Sequence, residues 1–155
     1  MDAQRLAALR QSLAAFEGVW EGDEEIASSP VVREGPARGR HVMRRAVDGS
    51  ILVQEYERRR DDGTRPISGH GVFAIDPLSG VVAWFFFDSL GYLPNEPARG
   101  GWHDGGLLLA KSTRRGEARY HFRVEGRHLL HHIEGKSAGV ADFTTFLSGS
   151  YRRVR

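Results

Sequence analysis

Seven histidines, an acidic triplet and a set of large aromatics are the residues of this 155-residue chain able to hold or transform a ligand. His70 stands between Gly69 and Gly71. Neighbours without side chains leave room for a ligand or for another stretch of backbone. If His70 shares a strand face with Val72 and Ala74, it points inward. There a neutral imidazole donates from one nitrogen and accepts at the other, which suits binding or proton transfer. The alternative is a histidine bonded to the next strand. His128, His131 and His132 invite a metal reading, but adjacent strand residues face opposite ways, and His128 and His132 would lie about 13 Å apart on one face. His131 is therefore expected inside, with His128 and His132 in solvent, and no metal site is assigned.

Asp23-Glu24-Glu25 alternates across its strand. With Trp20 facing in, Glu24 faces in too, and a buried carboxylate needs a partner. Arg44 and His70 are the expected partners. Such a group fixes a ligand's polar end, acts as a general base, or forms a structural ion pair. Trp20, Tyr56, Trp84, Phe86, Tyr120 and Phe122 either line one apolar pocket or fill the interior. Phe85 and Phe87 then face outward, marking a contact surface for a homodimer unless the helix or a loop covers them.

These side chains need strands to hold them. Residues 2–15 show the one helical period, with Leu6, Leu9, Leu13 and Phe16 behind the N-cap candidate Asp2, and Gly18 stopping the run. Turn chemistry then recurs about every ten residues. Strands are predicted over 19–28, 38–48, 50–60, 66–76, 81–88, 106–113, 117–125, 127–135 and 142–154. A loop with Pro30, Gly35 and Pro36 follows the first strand, a hairpin turns at Asp48-Gly49, and residues 91–101 form one long loop. Alternation such as Ala118, Tyr120, Phe122 and Val124 against Arg119, His121, Arg123 and Glu125 gives each strand one buried and one wet face. The fold expected is mainly β: a single domain over residues 1–155, with a helix at about 2–15 and a closed antiparallel barrel of nine or ten strands over 18–154. A two-sheet sandwich is the alternative.

Composition bounds the rest. Hydrophobic residues at 40% and charged residues at 27% are enough for a core. The absence of cysteine removes disulfides, thiolate metal sites and a thiol nucleophile. The longest apolar run, Val81 to Phe87, is far short of the roughly 20 residues of a membrane helix, and the first fifteen residues lack a secretory core. The expected location is the cytoplasm. The net charge is only +2, with arginines interleaved among acidic residues, so nucleic acid is not an expected partner. P-loop, dinucleotide, nucleophile-elbow and zinc-protease motifs are missing.

Phe16-Glu17-Gly18-Val19-Trp20-Glu21-Gly22 resembles the Gly-x-Trp opening of lipocalin-like (calycin) barrels. Asp48-Gly49, Gly69-His70-Gly71, Asp76-Pro77, Trp84, Asp88-Ser89 and Gly101-Trp102, in that order, resemble a bacterial lipocalin-like family, domain of unknown function 1579. That resemblance implies a barrel with an interior cavity and no established activity. Gly18, Trp20 and Gly22 are also similar to the opening of nitrobindin-type haem barrels, which carry a haem-ligating histidine near the C-terminus. Phe146 to Arg153 holds none, so no haem or other cofactor is expected.

Three functions are consistent with these residues. The first is binding of a small, largely apolar or amphipathic molecule, its polar end meeting Glu24, Arg44 or His70, with His131 a further interior contact. The second is a small isomerase- or cyclase-like enzyme with His70 and Glu24 as acid and base. The third is a dimerising module using Phe85 and Phe87.

Overall fold

The computed structural model describes residues 1–29 and 32–155; Pro30, assigned above to a loop, lies outside them. Helix α1 (Ala3–Ala14) begins where Asp2 caps it, its carboxylate accepting from the Arg5 amide at 2.7 Å. Leu6, Leu9 and Leu13 form its apolar stripe, and Leu13 is buried. The strands are β1 (Gly18–Ile26), β2 (Gly35–Ala46), β3 (Ile51–Arg59), β4 (Ile67–Ile75), β5 (Val82–Asp88), β6 (Ala98–His103), β7 (Gly106–Thr113), β8 (Gly116–Glu125), β9 (His128–Ser137) and β10 (Thr144–Arg153). Each pairs with its neighbours in sequence, and β10 pairs back onto β1, giving a closed ten-stranded antiparallel barrel.

Two expectations are corrected. Gly35 and Pro36 belong to β2, paired with Ile26 and Glu25. Residues 98–101, assigned to the long loop, belong to β6, which pairs with β7 across a hairpin turn at Asp104 (φ 49°) and Gly105 (φ 77°). Glycine density hid this strand. Gly100 is there because a side chain would drive into the Leu108 carbonyl across the ladder.

Alternating side chains fill the barrel. Inward positions are Trp20, Gly22, Glu24 and Ile26 on β1; Ala37, Gly39, His41 and Met43 on β2; Leu52, Gln54, Tyr56 and Arg58 on β3. Helix α1 lies over one end, where Phe16, Trp20, Leu52, Phe73, Val82, Leu109 and Leu129 form the larger apolar core. A smaller cluster, Ile26, Val32, Tyr56, Ile67 and Leu147, packs with Phe86, Ile133 and Phe146. A polar group of side chains is buried with them.

Candidate functional site

That group is built around Glu24, 1% exposed. The Glu24 carboxylate accepts from Tyr151 Oη at 2.6 Å, from Tyr56 Oη at 2.8 Å and from Arg58 Nε at 2.8 Å. The partners expected from sequence, Arg44 and His70, are elsewhere. Glycines clear the space: a side chain at Gly39 would overlap the Glu24 carboxylate and come within 2.8 Å of the Tyr151 ring, and one at Gly149 would overlap the Tyr151 hydroxyl. Burial, and then the Glu24 charge, push both phenols far above their ordinary range, so Tyr56 and Tyr151 are fixed hydroxyl donors rather than bases. Burial pulls the Arg58 guanidinium down, but the adjoining Tyr56 and Glu24 outweigh it and hold it fully charged.

A second chain of hydrogen bonds shares this interior. Trp84 Nε1 donates to Gln54 Oε1 at 3.0 Å, and Gln54 Nε2 lies 3.0 Å from His41 Nδ1. An indole N–H can only donate, so it fixes the amide's orientation, and the amide NH2 in turn makes His41 Nδ1 an acceptor. Neutral His41 therefore carries its hydrogen on Nε2. His131 is the reverse: Nδ1 meets the His121 carbonyl at 3.0 Å, leaving Nε2 a bare acceptor. The two rings stand 6.2 Å apart, edge to face. His131 also stacks on Phe122 at 3.9 Å. Among the described residues four buried side-chain nitrogens lack a hydrogen-bond partner: His41 Nε2, Arg58 Nη1, His121 Nε2 and Arg153 Nε. The first two belong to residues of the barrel interior, each 2% exposed.

Both interior histidines resist protonation. Burial is the main cause for each; His131 and Arg58 add to it at His41, and His131 is pulled down to about 4 despite its bond to the His121 carbonyl. The folded chain then binds fewer protons than the unfolded chain at pH values below about 6.5 and above about 4. Stability must fall as pH is lowered through that window, by about 1.4 kcal/mol per pH unit for each histidine that stays neutral. Urea midpoints measured at pH 7.5 and pH 5 are expected to show this loss, and His131→Phe to reduce it; equal slopes in both proteins would contradict the placement of His131.

The sequence-derived candidates divide as follows. Trp20, Tyr56, Trp84, Phe86, Tyr120, Phe122, Glu24 and His131 have inward strand positions. Trp20 lies under the helix, fully buried, with Nε1 bonded to the Phe16 carbonyl at 2.8 Å and the Arg153 guanidinium 4.4 Å from its ring. Trp84 is central, its ring centroid 4.9 Å from Phe86 and Tyr120 and 5.4 Å from Phe122. Tyr120 and Phe86 remain half-buried, and burial together with Asp88 raises the Tyr120 phenol.

Arg44 and His70 are corrections. Arg44 is exposed, on the opposite face of β2 from the inward Met43. His70 does share its face with Val72 and Ala74, but that face is the outer one, and His70 Nδ1 meets Glu55 at 2.6 Å. Its glycine neighbours clear space for other residues: side chains there would overlap the Phe86 ring at Gly69 and Gln54 at Gly71. With the barrel wall between them, His70 and Glu24 cannot serve one substrate as acid and base. Sequence reasoning missed His41, Gln54, Arg58 and Tyr151. The inward glycines Gly39 and Gly149 were the available signal, since each makes way for a large polar side chain.

Two grooves lie on the outer wall. One, of about 430 Å3, runs across β2 to β5 past Arg40, Glu55, His70 and Phe87. The other, of about 420 Å3, crosses β1, β10 and β9 past Asp23, Glu25, Leu130, His132 and Ser148. Among the described residues no helix is long and apolar enough to cross a membrane.

No protein-family model matches this chain, and no curated protein matches it. Among solved structures it is similar to the S-type phycobiliprotein lyase CPES from Guillardia theta, with a TM-score of 0.67 at 10% identity over 94% of this chain and 92% of that one. At that identity the likeness is one of fold, and it agrees with a lipocalin-like barrel.

Proposed function

We propose that this chain is a bacterial, cytoplasmic binding protein that holds a small amphipathic molecule within its barrel. The observation that carries the reading is the pair of unpartnered donors, His41 Nε2 and Arg58 Nη1, in an interior where Glu24 is bonded to Tyr56 and Tyr151 and Gln54 to Trp84. A buried donor without an acceptor costs about 1–3 kcal/mol, so such donors are kept where something else bonds them. The half-buried inward rings of Phe86 and Tyr120, with Ile133, supply apolar contact next to the buried groups. The shared fold with a phycobiliprotein lyase is compatible with a ligand in the barrel. The order of motifs quoted above supports kinship with the domain of unknown function 1579 family.

Native mass spectrometry of the protein purified from its own cells tests this. A bound small molecule is expected on the wild type and is expected to be lost from Ile133→Glu, which places a charge against the apolar contacts. A spectrum of unliganded chain alone, in protein with native stability, overturns the reading.

A second reading rests on Phe85 and Phe87, 38% and 49% exposed on the outer face of β5, with Val72 beside Phe85 on β4. Aligned apolar side chains on an outer sheet face fit a second copy of the chain. Sedimentation is expected to show a dimer that Phe87→Ser shifts to monomer; a monomeric wild type at high micromolar concentration removes this reading.

A further inference from the structure

We infer that the interior takes a ligand bearing an uncharged oxygen acceptor, a ketone, aldehyde or amide carbonyl, bonded by the free N–H of His41 and the free Nη1 of Arg58. The inference rests on the binding reading above and specifies which chemistry that site prefers.

Two observations set the acceptor requirement. The Trp84–Gln54–His41 chain leaves a hydrogen, not a lone pair, on His41 Nε2. Arg58 gives its Nε to Glu24 and keeps a guanidinium N–H group with no partner. Both residues flank the Tyr56 ring: His41 is stacked at 4.7 Å and tilted 32°, and the Arg58 guanidinium carbon is 5.7 Å from the ring centroid. A ligand oxygen bonded by these two groups accepts from both.

Charge decides between a neutral acceptor and an anion. Arg58 is the cation of this group, and Glu24 already pairs with it at 2.8 Å with both side chains at most 3% exposed. A carboxylate added to that neutral pair would be an uncompensated buried charge, whose desolvation is costly. A carbonyl satisfies the same donors without that cost. His131 Nε2, the bare nitrogen beside His41, offers the complementary acceptor for a ligand hydroxyl or amide N–H.

Three probes of nearly the same shape separate the outcomes: benzylacetone with a ketone oxygen, hydrocinnamate with a carboxylate, and butylbenzene with neither. Titrated into the full chain at pH 7.5 by calorimetry or ligand-detected NMR, benzylacetone is expected to bind about tenfold or more tightly than either of the others. Equal binding of benzylacetone and butylbenzene overturns the inference while leaving the barrel a binding site. Tightest binding of hydrocinnamate overturns it in favour of an anion. No binding of any probe overturns both it and the reading it rests on. Trp84→Phe adds an independent check, because without the indole N–H the Gln54 amide is free to turn and His41 loses its fixed tautomer. Nitrogen NMR is expected to find neutral His41 with its hydrogen on Nε2 in the wild type and as a mixture of the Nδ1–H and Nε2–H tautomers in the variant, with the ketone-to-hydrocarbon affinity ratio falling toward one. A wild-type hydrogen on Nδ1 refutes the proposal.

Discussion

Glu24→Gln is expected to cost about 3–5 kcal/mol of folding stability, because it strands a buried guanidinium. The side chain keeps its size, so little of that loss comes from a cavity. What changes is that Arg58, 3% exposed as a side chain, no longer has a counter-charge, and that two hydroxyl donors, Tyr56 and Tyr151, face an amide that has one acceptor oxygen in place of two. Arg58→Met leaves the opposite charge uncompensated, but the Glu24 carboxylate keeps both tyrosine donors, so its cost is expected to be smaller. The double variant Glu24→Gln/Arg58→Met removes both charges and is expected to recover a large part of the loss, the non-additivity that groups in contact show. Urea denaturation of the four proteins measures this. Single variants within about 1 kcal/mol of wild type would mean the pair is solvated, contrary to the burial described above.

Gly22→Ala is expected to lower stability by at least about 3 kcal/mol, at the upper end of what overpacking usually does. Gly22 has no unusual backbone angle to protect. Its constraint is distance: it pairs with Tyr151 on β10 and with Gly39 on β2, and an added Cβ would collide with the Ser150 carbonyl and lie 2.6 Å from the Tyr151 Cα. These are backbone atoms, and they cannot swing aside as a side chain would. The ladder that closes the barrel would have to open locally, taking the Tyr151–Glu24 bond with it. Thermal melts of Gly22→Ala and of Gly126→Ala compare a crowded site with one where no atom lies within 4 Å. Gly126 carries only a positive-φ penalty (φ 59°), so the first variant is expected to melt well below the second. Equal melting temperatures would refute the crowding argument.

The strand periodicity of the barrel is legible in the sequence. Alternation on β8 and the Asp48-Gly49 turn give direct, local signals, and the structure has both. β6 was unreadable for the opposite reason, since Gly100 and Gly101 carry no alternation in a strand only six residues long. For the polar interior, the inward position of Glu24 follows from Trp20, four residues away on the same strand face. The positions of Arg58 and His41 do not follow, because β2 and β3 carry polar residues on both faces and only the barrel's closure decides which face is inside. His70 misled because glycine neighbours mark a clearing without saying which side of the sheet it is on.

The pairing order of the barrel also bears on how the chain folds. All its ladders but one join strands that follow each other directly, so they can zip as successive hairpins with little loop-closure entropy. The β1–β10 ladder is the exception, bringing residues such as Trp20 and Arg153 together from opposite ends of the sequence. Until it forms, the sheet has two open edges and the Glu24 carboxylate lacks its Tyr151 donor. The expected kinetics are therefore a quick assembly of the meander followed by a slower closing step, and Trp20, at that junction, is the natural fluorescent reporter of it.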